Sequence, residues 1–309
     1  MIKMTEFPLI NEIACENMLG ENVRWHAQQE KFYWTDILSK RLYLWSPASN
    51  VLEVVNTPHR ISSFAFIKDS SYLLVAYDKG LALFDPFTEI FRLLASLEGN
   101  LPLNRFNDGT CDKHGRYWLG SMNDSGLEPT PKTGALYCCD VIEGKLVVNK
   151  TLDEIAISNG LAFAPESDCL FFADSPSKKI HRYQTNKEHH KLTDEHLFTQ
   201  TTLGVPDGAT IDAQGNYWFA NWAASCIQSV SPEGLTLFKA QIPAIQPTCI
   251  ALGGPNMDLL CVTSAKAGLQ NPKRDGNLFV YQLSEEIGLA PFYAKSDFLT
   301  VNSQQAEHC

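Results

Sequence analysis

Lys31-Phe32-Tyr33-Trp34-Thr35-Asp36 and, after a short polar break, Leu42-Tyr43-Leu44-Trp45 are paired aromatic and aliphatic runs, too short for helices. Runs of this length and composition predict neighbouring β-strands. The pair recurs. Tyr72-Leu73-Leu74-Val75-Ala76-Tyr77 leads to Leu81-Ala82-Leu83-Phe84-Asp85, and Arg116-Tyr117-Trp118-Leu119-Gly120 leads to Gly134-Ala135-Leu136-Tyr137. Leu170-Phe171-Phe172-Ala173-Asp174 leads to Ile180-His181-Arg182-Tyr183, and Asn216-Tyr217-Trp218-Phe219-Ala220 to Ile227-Gln228-Ser229-Val230. The last copy runs from Leu259-Leu260-Cys261-Val262-Thr263 to Leu278-Phe279-Val280-Tyr281. With Trp34, Val75, Leu119, Phe172, Phe219 and Cys261 as equivalent anchors, the steps are 41, 44, 53, 47 and 42 residues. Four short strands and their turns fill such a period, which predicts an all-β, six-bladed β-propeller with four antiparallel strands per blade. Residues 1–309 are then one domain of about 51 residues per blade.

Within each unit the strand before the anchor is expected to line the central channel, with the anchor strand next and two more outside it. The two are joined by tight turns such as Asp112-Lys113-His114-Gly115, Ala164-Pro165-Glu166-Ser167 and Asp212-Ala213-Gln214-Gly215, where Asp bonds its own backbone and Gly supplies a positive φ. A strand from Leu9 to Cys15 is expected to pair in the last blade and close the ring.

Composition narrows the function. The 309 residues are 44% hydrophobic and 19% charged, which excludes intrinsic disorder, and 35 acidic against 25 basic side chains give a net charge of −10. An acidic chain with scattered Lys and Arg argues against nucleic acid and anionic membrane as partners. No run approaches the ~18 apolar residues of a membrane span, and Met1-Ile2-Lys3-Met4-Thr5-Glu6 opens no secretory apolar stretch, so a cytoplasmic location is expected. The nine cysteines are scattered, with an adjacent Cys138-Cys139 pair and no C-x-x-C spacing. Cys111, Cys169, Cys226, Cys249 and Cys261 lie in apolar runs and read as small buried hydrophobes rather than as a disulfide framework or zinc ligands.

Counting back from the anchors yields a polar ring. Glu21, Asn107, Asn159 and Asp207 lie 12 or 13 residues before theirs, and blades two and six put Ser62 or Ser63 and Thr248 there. One register in every blade means one height around the channel, so these side chains should converge at one mouth. Two carboxylates ~4 Å apart at an effective dielectric of ~20 would repel by about 4 kcal/mol. Glu21 and Asp207 should therefore share a proton or hold a cation. An all-oxygen set suits hard divalent ions, Ca²⁺ first by ligand type with Mg²⁺ and Mn²⁺ beside it, and suits zinc less well, with Zn²⁺ and Fe²⁺ as the other occupants. The alternative is a polar cap that only satisfies loop backbone.

The same residues resemble the family of gluconolactonase, regucalcin (senescence marker protein) and luciferin-regenerating enzyme. The resemblance is carried by Leu19-Gly20-Glu21 with Trp25 and Trp34-Thr35-Asp36-Ile37; Asn104-Arg105-Phe106-Asn107-Asp108-Gly109; Gly115-Arg116-Tyr117-Trp118 with Gly120-Ser121-Met122; Ser158-Asn159-Gly160-Leu161-Ala162 with Asp174-Ser175; Pro206-Asp207-Gly208 with Gly215 and Trp218; and Thr263-Ser264-Ala265. It implies a six-bladed propeller that hydrolyses sugar lactones with one divalent metal at the channel mouth. Glu21, Asn159 and Asp207 would be the metal ligands, Arg105 and Asn107 the substrate contacts. Two departures stand out. Asn22-Val23 follows Glu21 where the family usually has Gly-Pro, and after Ser121-Met122 only Asp124 stands near the place of the family's sugar-binding acidic residues.

The mechanism so implied opens an aldonolactone to its acid, with Asp207 as general base and Arg105 on the sugar hydroxyls or the developing charge. Two other functions fit the same residues: a broader propeller esterase or organophosphate hydrolase, and a metal-binding regulatory propeller without turnover. Tyr33-Trp34-Thr35-Asp36 also spells the tetrapeptide of receptor propellers, but occurs once. His189-His190 sits in a charged stretch and reads as solvated loop, and no H-E-x-x-H, G-x-S-x-G or Walker A pattern is present.

Overall fold

The computed structural model describes residues 3–186, 191–301 and 307–308, so His189-His190 lies outside the described residues. Six sheets form the six blades. Blade one is Gly20–His26, Lys31–Asp36, Arg41–Ser46 and Val51–Asn56, and blade two is Ile61–Phe66, Leu73–Tyr77, Gly80–Phe84 and Phe91–Ser96. Blade three is Asn104–Cys111, Tyr117–Asn123, Gly134–Ile142 and Lys145–Ile155; blade four is Ser158–Phe163, Cys169–Asp174, Lys179–Thr185 and Leu192–Gln200. Blade five is Val205–Ile211, Tyr217–Trp222, Cys226–Val230 and Thr236–Gln241. Blade six contributes Pro247–Gly253, Leu259–Ser264 and Leu278–Gln282, and its outer strand is Leu9–Ile13, antiparallel to Leu278–Gln282. The ring is thus closed by the amino-terminal strand, as expected. All six anchors fall in second strands. No α-helix occurs among the described residues, and none of their helices is long and apolar enough to cross a membrane.

The continuous apolar runs have a plain cause: each blade packs both faces against its neighbours. Six apolar layers result, one between each adjacent pair. Successive residues serve opposite layers. Cys138 therefore joins the layer between blades three and four, while Cys139 joins the one between blades two and three. All described cysteines are free, and all but Cys15 are buried.

The Asp turns form as read. Asp112 Oδ1 accepts from the N–H groups of His114 and Arg116 at 2.9 and 3.0 Å, and Oδ2 from Trp118 Nε1 at 2.9 Å. Asp212 does the same for Gln214, Asn216 and Trp218 at 2.9, 2.8 and 2.8 Å. Gly115 and Gly215 close these turns at φ +74° and +83°.

Three features lie beyond the repeat. Lys3–Thr5 adds a parallel strand to blade five, and Glu307–His308 adds one to blade three. A carboxy-terminal strap also crosses the far end of the channel. Gly288 N donates to Met257 O in blade six at 2.8 Å, and Ala294 N donates to Phe66 O in blade two at 2.8 Å. Between them Leu289, Ala290, Pro291 and Phe292 floor a small internal cavity, and beyond them Phe298 and Val301 are fully buried between blades two and three.

Candidate active site

Every inner strand breaks register beside the residue the repeat singles out. The shifts fall between Glu21/Arg24, Ile61/Ser63, Phe106/Gly109, Asn159/Ala162, Pro206/Ala209 and Pro247/Ile250. A bulge re-aims the local side chain and tightens twist, and a proline is tolerated there because a ladder bond is already lost. Four of the six residues are brought together. Glu21, Asn107, Asn159 and Asp207 line one cavity of about 270 Å³ with Arg105. Ser62 and Thr248 turn to backbone instead, Ser62 Oγ donating to Ala76 O at 3.3 Å and Thr248 Oγ1 bonding Gly20 O beside Glu21. Ser63 Oγ accepts from Tyr117 OH at 2.9 Å.

Asn22, where the resemblance leads one to expect glycine, adopts φ +53°. Asparagine tolerates this left-handed conformation better than other side chains. Its amide also does structural work under the site, Oδ1 accepting from Phe64 N at 2.9 Å and Nδ2 donating to Gly109 O at 3.2 Å.

A hydrogen-bonded chain fixes the two carboxamides. Arg105 Nη1 donates to Asn107 Oδ1 at 2.6 Å, and Asn107 Nδ2 donates to Asn159 Oδ1 at 3.0 Å. Asn159 Nδ2 donates to Ser175 Oγ at 2.9 Å, and Ser175 Oγ to Pro206 O at 2.7 Å. Asn159 Oδ1 is thereby held toward the cavity with one lone pair unused. Asp124 does not line the cavity. Its Oδ1 accepts from Arg105 Nε at 3.1 Å and its Oδ2 from Arg60 Nη1 at 2.9 Å.

The two cavity carboxylates are electrostatically uneasy. Burial, then the charge of Asp108, pushes the Glu21 carboxyl up to about 8. Burial, then the charges of Glu21 and Asp108, pushes Asp207 well above the usual range. Such a pair favours a proton or a cation. Among the described residues no group of three or more His, Cys, Asp or Glu gathers for a metal; the oxygen atoms this cavity could offer a cation are those of the Glu21 and Asp207 carboxylates and the Asn159 amide. Hard oxygen donors of low total charge fit a divalent cation of the calcium type and suit zinc poorly.

The sequence model of the SMP-30/Gluconolactonase/LRE-like region matches residues 19–266. The chain belongs to this family. It is 31% identical over 264 residues to the L-arabinolactonase of Azospirillum brasilense, covering 82% of this chain and 83% of that protein. It is 29% identical over 252 residues to the 6-deoxy-6-sulfogluconolactonase of Pseudomonas putida, covering 81% and 84%. Among solved structures, the calcium-binding protein regucalcin of Agrobacterium tumefaciens matches with a TM-score of 0.83 at 29% identity, covering 95% of this chain and 99% of that one.

For this SMP-30/gluconolactonase chain the inner-strand residues were legible from register, whereas several wall residues were not. Met122 and Trp222 reach the cavity from the ends of second strands, paired across to Arg105 and Val205. Counting across the strand pair from the inner-strand residue would have found them. Ser175, in the short turn after the second strand of blade four, needed the tertiary contact to Asn159.

Proposed function

We propose that the chain is a sugar-lactone hydrolase that uses one divalent metal ion, calcium by ligand type, to open an aldonolactone to the aldonic acid. The observation that carries the reading is the meeting of Glu21, Asn159 and Asp207 with Arg105 and Asn107 in one cavity. The lactonases among the relatives support the substrate class. Glu21, Asn159 and Asp207 would hold the ion, which supplies Lewis-acid polarisation of the lactone carbonyl and charge stabilisation of the oxyanion.

Asp207 serves as the general base. Water adds to the carbonyl carbon as its proton passes to the Asp207 carboxylate. Collapse then breaks the ring ester C–O bond, and the proton goes to the departing ring oxygen to give the hydroxy acid. Arg105 binds the substrate. Its Nε and Nη1 are committed to Asp124, Phe106 O and Asn107, so Nη2, which has no protein partner among the described residues, is left for a substrate oxygen. Asn107 both contacts the sugar and holds Asn159 in place.

Acid release from gluconolactone, galactonolactone, xylonolactone and arabinolactone, with and without chelator, tests the reading. Activity lost on chelation and in Asp207→Ala, together with metal binding, is expected. Full activity in either sample overturns it. Acid release from aryl esters alone would assign the site to an esterase, and tight metal binding without hydrolysis to a regulatory propeller.

A further inference from the structure

Two residues before the six positions that define the site register stand, in ring order, Leu19, Arg60, Arg105, Ile157, Val205 and Gln246. Side-chain direction repeats every second residue along a strand, so these form a second tier outside Glu21, Asn107, Asn159 and Asp207. The tier is divided. On blades two and three it is basic, with Arg60 and Arg105 sharing the Asp124 carboxylate at 2.9 and 3.1 Å. On blades four, five and one it is aliphatic, and Ile157, Val205 and Leu19 all line the cavity. Trp222, paired across the strands with Val205, and Met122, bridged to Ile157, extend the same wall. In blade six, Gln246 Nε2 donates to the carbonyls of Ala265 and Ala267 at 2.9 and 3.1 Å, and Ala267 takes its place in the cavity lining.

In the outer tier a polyhydroxylated ring finds charged partners on the Arg105 side, whereas the Ile157, Val205 and Leu19 side offers no polar side-chain atom. A hydroxyl placed against Ile157, Val205 and Met122 surrenders its water and finds no partner in those side chains. We infer that the preferred substrate is an amphipathic lactone, its ring oxygens toward Arg105 and Asn107 and a methyl or longer alkyl substituent on the far carbon against Ile157, Val205 and Trp222. The inference rests on the lactone-hydrolase reading and names the substrate class of that site: deoxy- or alkyl-substituted hydroxylactones ahead of fully hydroxylated ones.

The test compares kcat/KM of the full chain, supplied with calcium, on galactonolactone and on its terminal-deoxy counterpart, which ends in methyl instead of hydroxymethyl. The methyl-ended lactone should be favoured by about five- to a hundredfold, the range in which an apolar pocket discriminates against one added hydroxyl. Val205→Thr, nearly isosteric but with a hydroxyl, should narrow that ratio at least about threefold. The non-hydrolysable lactams of the same pair read binding apart from turnover, and the methyl lactam should raise the Tm of the wild-type protein more. Equal rates on the two lactones, equal Tm shifts, or a preference for the hydroxylated member overturns the inference and leaves lactone hydrolysis standing. Hydrolysis of neither, nor of any simple sugar lactone, overturns the underlying reading and this inference with it.

Discussion

Asn107 Nδ2 donates to Asn159 Oδ1 at 3.0 Å, joining an inner strand of blade three to one of blade four directly at the floor of the cavity. The bond continues through Ser175 to Pro206 O, immediately before Asp207. Three blades thus set the direction of one amide oxygen. Groups that orient a metal ligand are commonly worth 10- to 100-fold in affinity. If the proposed site holds calcium, Ser175→Ala should weaken calcium binding about tenfold by calorimetry while leaving the fold intact by circular dichroism; unchanged affinity would remove Ser175 from the proposed metal site.

The buried Glu21 and Asp207 carboxylates make the ion-free protein less stable than the same scaffold with one charge removed. Glu21→Gln should raise the Tm of chelated protein by a few degrees. With calcium at the proposed site, a hundredfold excess over Kd should stabilise the wild type by about 2.7 kcal/mol, and the same variant should lose that stabilisation. Thermal melts with and without chelator check both halves.

Asp124 holds two arginines and should matter to Arg105 rather than to substrate directly. Asp124→Asn is expected to raise KM several-fold with a smaller change in kcat. It also carries a pH signature. Burial pushes its carboxyl up, but the charges and hydrogen bonds of Arg105 and Arg60 outweigh burial and hold it below the usual carboxylate range. A group depressed in the folded state contributes stability above its unfolded value of ~3.9 and loses it as pH falls through the folded value. The difference in urea midpoint between wild type and Asp124→Asn should therefore be constant from pH 7 down to about 4.5 and shrink below about 4. Because the pair is partly exposed, the difference should stay within about 1 kcal/mol.

Asp212 accepts from two backbone amides, from Asn216 Nδ2 at 2.9 Å and from the buried Trp218 indole. Asp212→Ala leaves several buried donors unpaired and should cost about 2–4 kcal/mol. KM for lactone should not change, since none of Asp212, Asn216 and Trp218 lines the cavity. A denaturation curve and a Michaelis curve on the same preparation separate the two effects.

Removal of residues 1–15 takes away Leu9–Ile13 and exposes the edge of Leu278–Gln282. Loss of soluble, cooperatively unfolding protein is expected, and a truncated chain that melts like wild type would show that closure is dispensable.

Much of the architecture was legible because it repeats. The anchors could be aligned at Trp34, Val75, Leu119, Phe172, Phe219 and Cys261, and a residue a fixed distance upstream of an anchor must sit at a fixed height in a closed ring. Glu21, Asn107, Asn159 and Asp207 were found that way. The same arithmetic was too coarse for Ser62 and Thr248, whose short hydroxyl side chains bond nearby carbonyls instead of entering the cavity. Asp124 was expected from the sequence to contact substrate, but it lies outside the cavity lining and holds Arg105 and Arg60, an engagement from another blade that had no local signal.

The sequence by itself determined the blades, their order, the closing strand and the polar ring, since each follows from local strand periodicity and a count along the chain. Only the tertiary structure decided what surrounds that ring. The Asn107–Asn159–Ser175 chain, the division of the outer tier into a basic and an aliphatic half, and the strap over the far end of the channel all join residues from different blades. Contacts across a ring have no period along the chain, because they are set by which blades become neighbours and by where the bulges turn their side chains.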